Sequence, residues 1–164
     1  MNNNNSDRPR GVRMHSQINK LFKVLFIFAL ALTSLNSYAE HSKEFGDYVV
    51  HYNAFRSDMI SPEVAKQYGL ARANNRVLIN IAVLKKVMDT TGKPTASEVT
   101  GNASNLTGQY KKLEFKEIRE GTAIYYLAET KVSDGEFLKF DLKILPEGEK
   151  QAARLRFDKR FFTY

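Results

Sequence analysis

The sequence predicts an all-β domain, an immunoglobulin-like β-sandwich of about seven strands with one short helix in a crossover. Three observations predict it. Short runs of β-favouring residues recur from Phe45 onward between Gly, Pro, Asn and Asp clusters. The alternation within those runs has a period of two, which leaves one apolar face per strand. Only one segment carries helix start and stop signals.

Taken in order, the opening run Phe45 to Phe55 puts Tyr48, Val50, Tyr52 and Ala54 on a core face, and Asp47, Val49, His51 and Asn53 on the other. Ser61-Pro62-Glu63-Val64-Ala65-Lys66-Gln67-Tyr68-Gly69 predicts about two helical turns: Ser61 can cap, Pro62 suits the first position and Gly69 can stop the helix in the left-handed region. Arg76 to Leu84 is apolar on both faces except at Asn80, as in a central strand covered on both sides. Asp89 to Pro94 is turn chemistry. Thr95 to Thr100 reads as a weak edge strand, and the small, polar stretch Gly101 to Gly108 as bulged or looped.

Three strands with better alternation follow, over Tyr110–Ile118, Thr122–Thr130 and Glu136–Leu145. The last turns Leu138, Phe140, Leu142 and Ile144 inward. Pro146 to Glu149 leads into a terminal strand, Gln151 to Phe162. Two registers satisfy its apolar face, and charge selects between them. Leu142 opposite Leu155 sets Asp141 against Arg156 and Lys139 against Asp158, whereas the alternative sets Lys139 against Arg156. The first register is expected.

Residues 1–39 read as a cleaved signal peptide and residues 40–164 as a single domain. Arg8, Arg10, Arg13, Lys20 and Lys23 precede the apolar run Val24 to Leu32, and Ser37-Tyr38-Ala39 supplies a small-x-small cleavage site. The apolar run is too short for a membrane helix, which needs roughly 20 residues. The expected product is periplasmic, with no transmembrane anchor after cleavage; translation starts at Met1 or Met14. The chain has no cysteine, which removes disulfides, thiol nucleophiles and a lipid anchor together. Its formal charge of +7 falls to +3 without the leader, so nucleic acid is not an expected partner.

No G-x-S-x-G, H-E-x-x-H, phosphate loop or calcium-loop spacing is present. Past the leader only His41 and His51 remain, a poor metal pair. Asp47 and His51 would share a strand face but stand about 13 Å apart. Asn80 must satisfy its amide within an apolar strand. Tyr48, Tyr52, Phe55, Tyr125 and Tyr126 read as core rings, with an apolar pocket the alternative. Arg154, Arg156 and Arg160 share one face of the final strand, read as solvated, with an anion-binding strip the alternative.

The phrases FGDYVVHYNAF, SPEVAKQYGL, RVLINIAVLKK, GKPTASEVTGNASNLTGQ, EIREGTAIYYLAET and FDLKILPEGEKQAARLRFDKRFF, in this order, resemble the proteobacterial exported family catalogued as domain of unknown function 4426. The resemblance implies an exported single-domain protein with no assigned activity, cofactor or metal. It makes the polar residues embedded in those phrases, His51, Asn53, Arg76, Asn80 and Asn105, the candidate recognition residues. The expected role is a non-catalytic binding or interaction module of the cell envelope, monomer or weak dimer. Its expected partner is an envelope protein or a small apolar or anionic ligand. The alternative is an envelope hydrolase assembled around His51.

Overall fold

The computed structural model describes residues 41–164. The signal-peptide reading of residues 1–39 lies outside the described residues. Two antiparallel sheets face each other, as the alternation predicts. The first takes β1 (His41–Phe45), β2 (Tyr48–Arg56), β3 (Arg76–Lys85), β8 (Ala123–Lys131) and β7 (Lys116–Glu120) in that spatial order, with β4 (Lys93–Pro94) beside β3. The second takes β10 (Ala153–Arg160), β9 (Phe137–Pro146), β5 (Ser97–Asn105) and β6 (Tyr110–Leu113).

The inward faces fill the space between the sheets. Val77, Ile79, Ile81 and Val83 of β3 meet Leu138, Phe140, Leu142 and Ile144 of β9, none more than 1% exposed. Phe140 stacks on Phe157 at 4.6 Å between centroids and meets Phe161 edge-on at 6.4 Å. Apolar area removed from water on this scale is the main stabilising term of a domain without disulfides.

Helix α1 (Pro62–Tyr68) has the expected ends: Ser61 Oγ accepts from Val64 N, and Gly69 sits at φ 65°, ψ 37°. The helix lies in the connection between β2 and β3, neighbours in one sheet, and this connection folds over that sheet's outer face. Tyr68 Oη donates to the Glu120 carboxylate, and Lys116 Nζ donates to Tyr68 O at 3.3 Å. That cover explains why Leu78, on the outward face of β3, is only 1% exposed.

The register of β9 and β10 is the one charge selects, with Leu142 opposite Leu155, Asp141 opposite Arg156 and Lys139 opposite Asp158. Three boundaries differ from the sequence expectation, and with the short β4 in the stretch read as turn the described residues hold ten strands. The opening run is broken by a tight turn at Gly46-Asp47, with His41–Phe45 pairing back as β1; Asp47 therefore belongs to the turn. Tyr110–Ile118 divides into β6 and β7, which lie in different sheets.

The stretch expected to bulge after Thr100 instead continues β5 to Asn105, between β9 and β6 rather than at an edge. Its small residues are small because β9 is large. A Cβ at Gly101 would stand 2.4 Å from Asp141 O and 2.6 Å from Leu142 Cδ2, so the partner strand already occupies that volume.

Candidate binding surfaces

Three of the five candidate residues meet on the outer face of the first sheet. Asn53 stands directly opposite Asn80, and His51 lies two residues back on β2 with Ser42 and Ala82 as its cross-strand neighbours. Asn80 Oδ1 is buried without a hydrogen-bond partner among the described residues. Arg76 shares this face four residues away along β3, roughly 13 Å, and its guanidinium lies 3.9 Å from the Glu129 carboxylate. Asn105 is not part of this group. It closes the β5–β6 turn in the other sheet, its Oδ1 accepting from Thr107 N and Gln109 N at 3.1 and 3.0 Å, which is a local turn role.

A concave site lies elsewhere, at one end of the sandwich. The Gly46-Asp47 turn of the first sheet and the loop from Glu149 to Ala152 of the second enclose a cleft of about 490 Å³. Val50 and Ile144 line it, 1% and 0% exposed, with Phe45, Pro146 and Ala153 beside them. Tyr48 Oη donates to Glu149 Oε1 at 2.9 Å across the two sheets. The accepting carboxylate holds the Tyr48 hydroxyl above its ordinary pKa, with burial acting in the same direction. Asp47 and Glu149 thus put two carboxylates at the rim of a cleft whose floor is apolar.

The outer face of the second sheet is a different kind of surface. Lys112, Lys139, Lys143, Arg154 and Arg156 are all exposed on it. Two shallow grooves of about 430 and 340 Å³ share Asn102, Tyr110 and Asp141, so they are continuous. Arg154 holds Asp141 through Nε to Oδ1 at 2.7 Å and Nη2 to Oδ2 at 2.5 Å, and Arg156 Nε adds a bond at 3.2 Å. These hydrogen bonds, Arg154's first, lower the Asp141 pKa to about 2. Sequence reasoning reached Arg154 and Arg156 from their spacing. It did not reach Tyr110, which joins them only through the pairings of β5 with β6 and β9, whereas Lys143 stands directly opposite Arg154 in the β9–β10 register.

Elsewhere polar groups serve the fold. Buried Tyr126 joins the sheets by accepting from Ser97 N at 2.6 Å and donating to Glu117 at 3.0 Å, and burial raises its pKa. Lys159, its pKa lowered by burial, donates to Ala54 O at 2.7 Å. Of the five aromatic residues read as core rings, Tyr48 lines the cleft, while Tyr52 leans on Phe157 at 4.8 Å. Among the described residues no three His, Asp or Glu side chains converge as a metal site would require, and no helix is long and apolar enough to cross a membrane.

The sandwich is a fold shared with proteins of known structure. Residues 42–164 match the family described as Domain of unknown function (DUF4426), and the chain belongs to that family. A DUF4426 family protein from Pseudomonas aeruginosa PAO1 is 38% identical, superposes with a TM-score of 0.67, and is matched over 76% of this chain and 96% of its own. FetP from uropathogenic Escherichia coli strain F11 shares the fold at 11% identity and a TM-score of 0.55, over 77% of this chain and 95% of its own. A copper-bound FetP variant aligns equally well, with 97% of its own chain covered. No curated protein matches the chain.

Proposed function

We propose that this chain is a non-catalytic binding module of the cell envelope, exported to the periplasm, which receives the apolar part of a small ligand in the cleft beneath the Tyr48–Glu149 bond. The observation that carries this reading is the cleft itself. It combines a size suited to a small molecule, a floor taken from the core, and a few convergent polar groups at its rim.

The basic leader and small-x-small site support export. FetP, recombinantly expressed in the periplasm and seen as a variant with copper bound, supports the fold as a scaffold for binding. Its copper does not transfer to this chain by analogy, because fold alone carries no site.

The test uses 1-N-phenylnaphthylamine, a neutral apolar probe whose fluorescence rises on leaving water. Saturable binding is expected, weakened at least tenfold by Ala152→Trp, which fills the cleft from an exposed loop position. Equal binding by the variant, with an unchanged circular dichroism spectrum, would remove the cleft from the function.

A further inference from the structure

The uncovered face of the second sheet carries more than solubility requires. Its two continuous grooves hold five basic side chains, Lys112, Lys139, Lys143, Arg154 and Arg156, against two acidic ones, Asp141 and Asp158. Asp141 is already engaged by both arginines. Arg154 spends Nε and Nη2 on it and keeps N–H donors in reserve. Lys139 and Lys143 lie within 4 Å of no carboxylate among the described residues. Lys112 lies 3.6 Å from the Glu114 carboxylate, so the positive charge available to a ligand is that of Lys139, Lys143 and the spare arginine donors.

Between the grooves stands Tyr110, 78% exposed, on the rung opposite Ser104. Its ring offers an apolar plane for stacking and a hydroxyl that can stay hydrated. Asn102, Ser104 and Thr100 lie beside it with amide and hydroxyl groups. The face spans four strands, roughly 14 Å across, and has no deep pocket.

We infer that this face binds an anionic polysaccharide. Sugar rings offer a C–H surface to Tyr110, hydroxyls to Asn102, Ser104 and the acceptor oxygens of Asp158, and spaced carboxylates or phosphates to Lys139, Lys143 and Arg154. The alternatives fit less well. Double-stranded DNA carries one negative charge per roughly 1.7 Å and would press that density against Asp141 and Asp158. An anionic lipid surface favours apolar side chains that enter the headgroup layer, and of the large apolar side chains lining these grooves only Tyr110 is exposed, Phe140 being buried and Phe157 half-buried. This inference goes beyond the cleft reading and does not depend on it.

The test measures retention of the protein on immobilised polygalacturonate, with dextran, phosphatidylglycerol vesicles and duplex DNA as comparison probes. Binding to polygalacturonate and not to dextran is expected, weakening as salt rises. Tyr110→Ala should weaken it at least fivefold while leaving the salt dependence unchanged, and Lys143→Gln with Arg154→Gln should flatten that dependence. Phenylnaphthylamine binding by these variants stays at the parent level, which separates a failure here from a failure of the cleft. Tyr110→Ala retained as well as the parent would reduce the effect to non-specific charge and overturn the proposal. So would equal or tighter binding to vesicles or DNA.

Discussion

Gly101 shows how a residue's identity can be dictated by a partner strand. In the sequence it lies among small polar residues and signals a loop; in the fold it lies under Leu142, with no room for a Cβ beside Asp141 O. Gly101→Ala should therefore destabilise the domain by about 1–3 kcal/mol, the usual cost of overpacking, as a lower midpoint in urea unfolding; an unchanged midpoint would contradict the close approach. Tyr126→Phe is expected to cost a similar amount, about 1–3 kcal/mol, because it strands the Ser97 N–H without its acceptor. Asp141 makes a pH-dependent statement. Its pKa is about 2 in the folded protein against an ordinary 3.8, so the carboxylate's contribution is complete above about pH 4 and is lost as pH falls toward 2. Asp141→Asn should flatten the fall in stability across that window relative to the parent, measured as unfolding midpoints from pH 5 to pH 2.

At the scale of elements, legibility followed the range of the interaction that shapes each one. The helix was readable because Ser61, Pro62 and Gly69 act within one turn. The β9–β10 register was readable because a short loop joins the two strands and only two alignments bury Leu155. Lys139→Glu should test that rung by placing like charges opposite Asp158, lowering stability by about 0.2–1 kcal/mol; Asp158→Lys in the same background should restore it. A double variant no more stable than Lys139→Glu alone would contradict the pairing. Strand β5 was misread because its neighbours, β9 and β6, come later in the chain and hide its small residues. β1 was missed because His41–Phe45 has little apolar content and is ordered by pairing with β2.

For the whole molecule, the sandwich was legible and its sites were less so. His51, Asn53 and Asn80 do share a face, because a strand pairing that brings Asn53 opposite Asn80 aligns them. The cleft was beyond reach, since Tyr48 and Glu149 are 101 positions apart and meet only after both sheets have formed. The proposed export makes a direct prediction at this scale: protein recovered from the periplasm should begin at Glu40, read by intact mass, and a chain retaining residues 1–39 would contradict cleavage there.

The strand order bears on how such a chain would travel. β3 needs β8 as a neighbour, β5 needs β9, and β10 closes the second sheet from the far end of the sequence. Pairings that span so much chain are entropically slow to close, and topologies of this kind fold in roughly milliseconds to seconds. A chain threaded through a membrane from its amino end brings out β1, β2 and β3, which pair with one another, well before β8 arrives beside β3. If the chain is exported as proposed, the core between the sheets would close on the far side only as β9 and β10 emerge.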